Sequence, residues 1–438
     1  MPLIRPLLRH NHSIISRGKH ILNKISSPRI NVCAFSTSIH WAKFPMGPPD
    51  PILGLNEAYA KDVNPNKVNL GVGAYRDDTG SPYVLKCVRD AEEIIKNNNE
   101  NHEYAPITGC PDFVKEAMAF AYGDDSKVLT ENRVAATQTL SGTGGLRVMG
   151  ELLAKFGHKH IYVPNPTWGN HIPIFGNAGL EVRKYRYYDA AKSGLDFNNL
   201  IADLKDAPEE SAVLLHVCAH NPTGMDPTME QWKHISDVVK ERKLLPFFDC
   251  AYQGFASGNA PQDAAPLRMF IEEGHELALV QSFSKNFGLY GQRVGALSIV
   301  CGNEDEAKKV LSQLKIVIRP MYSNPPRHGA RIVRTVLSDD ELKAEFIDQC
   351  SDMASRINSM RVKLVDRLST SGSNRSWDHI TSQIGMFAYS GLTKDEVETL
   401  RERHSIYCTL DGRISMAGVT SGNVGYIGDA INDVTSGK

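Results

Sequence analysis

From residue 133 onward, short runs of apolar, β-branched or aromatic residues recur at intervals that leave room for helices. The runs at 133–139, 160–163, 181–188, 212–220, 244–249, 277–283 and 295–301 have strand length, and stretches such as 146–156 and 229–242 carry the helical spacing of apolar positions. This alternation predicts an α/β fold whose large domain is a mainly parallel sheet covered by helices on both faces. Upstream, 53–62, 84–98 and 111–122 read as helices. Residues 67–75 read as a strand whose two glycines let another group approach the backbone. The pattern changes near residue 339. A long helix is predicted over 340–370, with Leu342, Phe346, Ile347, Met353, Ile357, Met360, Leu364 and Leu368 on its apolar stripe. Strand-like pieces at 384–389 and 411–416, with a helix over 394–404 between them, predict a smaller α+β domain.

Composition changes the picture at the N-terminus. Among 438 residues with a formal net charge of -1, no Asp or Glu precedes Asp50, while Arg5, Arg9, Arg17, Lys19, Lys24 and Arg29 recur among Leu, Ile and Ser. That is the make-up of a mitochondrial transit peptide, expected over residues 1–40, with the mature protein in the matrix. No apolar run there reaches the length of a membrane span. The near-neutral net charge gives no general reason to expect nucleic acid or stable membrane insertion. The eight cysteines are scattered without a Cys-x-x-Cys pair, which fits a reducing compartment.

Candidate chemistry gathers where predicted strands end. Lys285 follows the run 277–283 among small, hydroxyl-bearing and aromatic residues, and Arg293 stands eight positions on. A lysine ending a buried strand either reaches solvent or works with a lowered pKa. Asp249 closes another apolar run, where open α/β sheets bind ligands. Ser141-Gly142-Thr143-Gly144-Gly145 reads as a turn between strand and helix, suited to a phosphate or to plain capping. His216 and His220 stand four apart, but on a strand-like run without a third ligand, so no metal site is expected. Trp168 is either core or a stacking platform, and Arg319 and Arg413 are either carboxylate ligands or structural ion pairs.

Taken together, Asn221-Pro222-Thr223-Gly224, Asp249-x-x-Tyr252, Ser282-x-x-Lys285, Arg293 and Arg413 resemble the fold-type I aminotransferases dependent on pyridoxal phosphate. Further motifs, including Leu70-Gly71-Val72-Gly73-Ala74-Tyr75-Arg76, Pro164-Asn165-Pro166-Thr167-Trp168 and Arg319-Pro320-Met321-Tyr322-Ser323-Asn324-Pro325-Pro326, are similar to the branch of mitochondrial aspartate aminotransferases. The resemblance covers nearly everything from Gly47 to Val434. It implies an N-terminal arm and first part of a small domain over 41–82, a large cofactor domain over 83–350 and the rest of the small domain over 351–438.

The resemblance also implies roles. Lys285 would form the Schiff base with pyridoxal phosphate and move the proton during exchange. Asp249 would keep the ring nitrogen protonated, with His171 and His216 behind it. Tyr252 and Asn221 would bond the ring oxygen, Trp168 would stack on the ring, and Ser141, Gly142, Thr143, Ser282 and Arg293 would hold the phosphate. Tyr104 would join them from the neighbouring subunit of a homodimer with shared active sites. Arg413, with Asn221, Trp168 and Gly73, would take the substrate α-carboxylate, and Arg319 from the other subunit the distal carboxylate. Small dicarboxylic amino and oxo acids would then be exchanged, aspartate and 2-oxoglutarate giving oxaloacetate and glutamate. An aromatic or kynurenine aminotransferase is the alternative within the same site.

Three positions depart from the pattern of that branch. Ser284 stands where alanine is common, Gln292 replaces a glutamate and Gly145 an alanine. Gly145 is expected to weaken its helix by under about 1 kcal/mol. A binding protein without turnover would have no need of this lysine, aspartate, tyrosine and pair of arginines together, and a nicotinamide-dependent oxidoreductase would need a Gly-rich fingerprint that is missing.

Overall fold

The structure, a computed structural model, describes residues 40–47, 53–370 and 375–436. The expected transit segment lies outside the described residues except for His40. Residues 40–47 fall in a unit of their own, in which the Phe44 amide donates to the Trp41 carbonyl at 3.1 Å. Pro49–Lys438 form the other unit.

The apolar runs become β1 (Val134–Leu140), β2 (His160–Asn165), β3 (Glu181–Arg186), β4 (Ala212–His216), β5 (Leu245–Cys250), β6 (Leu277–Ser282) and β7 (Val294–Val300). They form one seven-stranded sheet in the order β1-β7-β6-β5-β4-β2-β3. Pairing is parallel from β6 through to β3, while β7 is antiparallel to both β1 and β6. The sheet is therefore mainly parallel, as its apolar strands imply.

Side chains that alternate along a strand feed two separate cores. Leu214, Phe247, Ala278, Val280 and Leu297 point into one, with Leu146, Met149 and Leu153 of helix α1 (Ser141–Lys155) and Leu314, Val317 and Ile318 of helix α2 (Glu304–Tyr322). Val213, Leu215, Phe248, Leu277 and Leu279 point into the other, with Phe346, Met353, Ile357, Leu364 and Leu368 of helix α3 (Asp340–Thr370). Of the stripe predicted for α3 only Ile347 faces out, at 39% exposure. Beyond the large sheet, Phe387–Tyr389 pairs with Arg413–Ser415 and Val68–Asn69 with Ile406–Tyr407.

Three sequence expectations change. Residues 141–145 are the first turn of α1, not a loop between strand and helix. β4 stops at His216, because the Asp226 carboxylate accepts the Ala219 and His220 amides at 2.6 and 2.9 Å and draws them out of the ladder. Only Val68 and Asn69 of 67–75 form a strand, since the Leu70 and Gly71 carbonyls accept from the Ser415 amide and the Arg413 side chain instead. Arg319 lies in the last turn of α2, a helix that continues through Pro320.

This topology assembles one edge. β1, β4, β5 and β6 end there with Leu140, His216, Cys250 and Ser282, and β7 starts there, so Arg293 enters beside Ser141 and Ser282. The approach is close. A Cβ on Gly295 would meet the Gln281 carbonyl oxygen at 2.5 Å and the Ser141 backbone at 2.7 Å. Both are main-chain atoms that cannot rotate aside. Gly295→Ala is therefore expected to cost about 3 kcal/mol through overpacking, read as a lowered urea midpoint with an unchanged m-value.

Candidate active site

Ser141 opens the site. Its hydroxyl lies 3.0 Å from the Ser282 hydroxyl and 2.9 Å from that of Ser284, and the Ser284 amide donates to Ser282 Oγ at 3.3 Å. Ser141 and Arg293 both sit in the left-handed region, at φ 60° and 50°, a cost that surrounding contacts must hold in place. Arg293 Nη1 donates to the Tyr290 carbonyl at 3.0 Å. With the amides at the start of α1, these groups form a cradle of anion-binding donors. Ser284, one of the three positions that depart from the expected pattern, adds a hydroxyl to it. Gly145 is also accounted for. A Cβ there would meet Val280 Cγ1 at 2.9 Å, so the glycine lets α1 sit tight on β6.

Asp249 stands on β5 beside His216 of β4 in the sheet register. His171 Nε2 contacts Asp249 Oδ2 at 3.1 Å, and Thr167 Oγ1 lies 2.7 Å from the other ring nitrogen. Burial opposes ionisation of Asp249, but the His171 hydrogen bond and the nearby positive charges outweigh it and hold the carboxyl below its ordinary range. His171, His216 and Asp249 each bring a ligand atom within 4.8 Å of the others. Among these side chains His171 Nε2 and Asp249 Oδ2 are hydrogen-bonded to each other, and His216 Nε2 is buried without a partner.

Lys285 Nζ lies 5.8 Å from the centre of the Tyr252 ring. Burial pulls its ammonium pKa down, Asp249 opposes that, and Arg293 and Arg413 push the same way as burial. Arg413 is 5% exposed, donates to Gly71 O at 3.0 Å and Asn221 Oδ1 at 3.4 Å, and lies over the Phe387 ring at 4.1 Å. Its Nε is buried without a partner. An unpaired donor of that kind is costly unless an acceptor arrives.

One cavity of about 240 Å³ brings together Gly73, Ser141, Gly142, Thr143, Trp168, His216, Asn221, Asp249, Tyr252, Ser282, Lys285, Arg293 and Arg413. His171 sits behind it, fully buried. Tyr104 and Arg319 are not among its lining residues. Tyr104 is 79% exposed, and Arg319 is exposed and bonded to the Ser323 hydroxyl. Sequence reasoning passed over Cys218, Phe387 and the lining role of Tyr290, whose hydroxyl accepts the Tyr75 amide at 2.8 Å. Only Tyr290 had a signal, its place between Lys285 and Arg293. The lining carries three basic side chains, Lys285, Arg293 and Arg413, against the single carboxylate of Asp249. Such a cavity takes up anions.

The profile of the family described as aminotransferase class I and II matches residues 65–431. The chain belongs to that family. Among relatives of this aminotransferase, the mitochondrial aspartate aminotransferase of Dictyostelium discoideum is 52% identical over 421 residues, 96% of this chain and 99% of the relative. A solved mitochondrial aspartate aminotransferase from Trypanosoma brucei superposes with a TM-score of 0.85 at 45% identity, covering 87% of this chain and 100% of the other. A solved aromatic-amino-acid aminotransferase from Burkholderia pseudomallei, covalently bound to pyridoxal phosphate, gives 0.88 at 42% identity, covering 90% and 99%. Among the described residues of this aminotransferase no helix is long and apolar enough to cross a membrane.

Burial pulls His216 from 6.5 down to about 3, Asp249 opposing and His171 reinforcing the shift. Above 6.5 neither state of the chain binds a proton here. Below it only the unfolded state does, so stability falls as pH drops from 6.5 towards 3. His216→Gln is expected to reduce that slope by about 1.4 kcal/mol per pH unit between pH 6 and 4, measured by urea unfolding of the cofactor-free protein.

Proposed function

We propose that this aminotransferase uses pyridoxal phosphate to exchange the amino group between L-aspartate and 2-oxoglutarate, giving oxaloacetate and L-glutamate. The charge layout of the cavity carries the reading: one lysine with a lowered pKa, one buried carboxylate, and two arginines with separate hydrogen-bond partners. The donor set fits the cofactor, since the three serine hydroxyls and Arg293 suit a phosphate and Asp249 suits a protonated ring nitrogen. The unpartnered Nε of Arg413 suits a carboxylate brought by the substrate. When bound, pyridoxal phosphate supplies a ring that draws off the electrons left at the substrate α-carbon.

The protein's own groups do the rest in this reading. Lys285 would hold the cofactor covalently, and its Nζ, when free, would take the proton from the substrate α-carbon in one half of the exchange and return one to it in the other. Burial, with Arg293 and Arg413, lowers the pKa of that amine and so favours its free form. Asp249 stays ionised and holds the proton on the ring nitrogen, with His171 and His216 fixing its position. Tyr252 and Asn221 would bond the ring oxygen of the bound cofactor, and Trp168 would lie against its ring. Ser141, Gly142, Thr143, Ser282 and Arg293 take the phosphate, joined by Tyr104 of a second copy. Arg413 grips the α-carboxylate with Asn221 and Trp168 alongside Gly73, and Arg319 of the second copy takes the distal one.

The exposure of Tyr104 and Arg319 on a single chain supports a homodimer that completes each site. The same reading places the cofactor on a large domain, 83–350, and Gly73 and Arg413 on a small one, 41–82 with 351–438. The acid-free N-terminal sequence supports import into the mitochondrial matrix. Aromatic amino acids are a second substrate class, favoured by the likeness to the Burkholderia pseudomallei enzyme.

The purified protein is expected to show a visible absorbance band that L-aspartate bleaches and 2-oxoglutarate restores, and Lys285→Ala to lose that cycle. A band unaffected by aspartate would remove the substrate assignment. Arg319→Leu is expected to lower kcat/KM for aspartate by at least ~100-fold while changing it for phenylalanine far less, because an unmet dicarboxylate contact is penalised more than an apolar one. Equal losses in steady-state assays would remove the role given to Arg319.

A further inference from the structure

Arg361 lies on the buried stripe of α3 between Ile357 and Leu364 and is 1% exposed. Among the described residues no carboxylate pairs with it. Its Nη1 donates to the Ile380 carbonyl at 3.0 Å, and Nη2 donates to the Gly385 and Phe387 carbonyls at 2.8 and 2.7 Å. Burial pulls the guanidinium down to about 9, so it remains a cation at neutral pH. An apolar side chain of similar volume would fill this place without the cost of desolvating a charge. What only the arginine supplies is geometry: a planar fork that gathers three carbonyls of one short segment at a single point.

The gathered segment leads to the substrate end of the cavity. Its Ile384 amide donates to the Gly224 carbonyl at 2.7 Å, tying it to the turn that carries Asn221. Phe387 begins the strand whose partner holds Arg413, with Phe387 opposite Ser415 and Tyr389 opposite Arg413. The Phe387 ring lies 4.1 Å from the Arg413 guanidinium. Three links therefore run from Arg361 to the two groups, Asn221 and Arg413, that share a hydrogen bond at 3.4 Å.

We propose that Arg361 is a positioning residue for substrate recognition, holding the 380–387 segment so that Phe387 and its paired strand present Arg413 to a carboxylate. It touches no substrate itself. The inference rests on the proposed reading of Arg413 as the α-carboxylate clamp.

The test uses the full chain loaded with pyridoxal phosphate and maleate, a dicarboxylate that has no amino group to exchange, with affinity measured by calorimetry. Arg361→Met is expected to weaken maleate binding at least tenfold and raise the KM for aspartate in step, while the visible band of the cofactor keeps its position. Hydrogen exchange of the 384–389 amides is expected to accelerate. In a Phe387→Leu background the same substitution is expected to add less than threefold, because both changes act on one path. A folded Arg361→Met variant with a lower Tm and unchanged maleate affinity would overturn the proposal, as would full additivity with Phe387→Leu. Should the methionine variant not fold, Arg361→Lys decides the matter. It keeps the charge but loses the fork, so a several-fold loss of maleate affinity supports the role and wild-type affinity refutes it. Arg413→Leu separates this proposal from the reading beneath it. Unchanged maleate affinity in that variant removes the carboxylate clamp itself, whereas loss there and none in Arg361→Met removes only the positioning role.

Discussion

A carboxylate kept ionised at the end of a buried strand is the constraint on which this site depends. Asp249 can remain charged on β5 only because His171 bonds it at 3.1 Å and because the cavity it faces is lined with cations. Those cations depend on it in turn. Lys285, Arg293 and Arg413 repel one another, and burial penalises Lys285 and Arg413; Asp249 is the one acidic group that offsets them for the lysine. The cavity is left with surplus positive charge, and anionic cofactor and substrate groups complete the balance.

The central strands of the sheet were legible because they are buried on both faces. Runs such as 277–283 and 295–301 have one-residue boundary shifts in the structure, since little but a core strand accepts that composition. Helix α3 began where expected, at Asp340. Failures came where side chains compete for backbone groups. Asp226 ends β4 early by taking two amides, and Arg413 and Ser415 intercept the carbonyls that would have extended Val68–Asn69. Contacts of that kind link residues far apart in the chain and leave no local pattern.

The site residues on strand ends were readable for the same reason, as polar interruptions of apolar runs. Phe387 and Arg361 were not. A phenylalanine in an apolar run carries no mark of the cavity it faces, and an arginine on a helix passes for a surface residue. Only its position on the Ile357, Leu364, Leu368 stripe sets it apart.

The cradle at Ser141 joins residues 141 and 143 positions apart in the chain, Ser282 and Ser284, and Arg293 arrives only on the strand that runs against the others. The complete donor set exists only where Ser141 and the start of α1 meet the 282–293 stretch. Closing a loop of that length must precede the full grip on an anion, so the unfolded polypeptide competes weakly for the ligand. Occupancy of the cradle therefore acts chiefly on the folded state, and saturating anion shifts the unfolding equilibrium of every segment that the sheet connects.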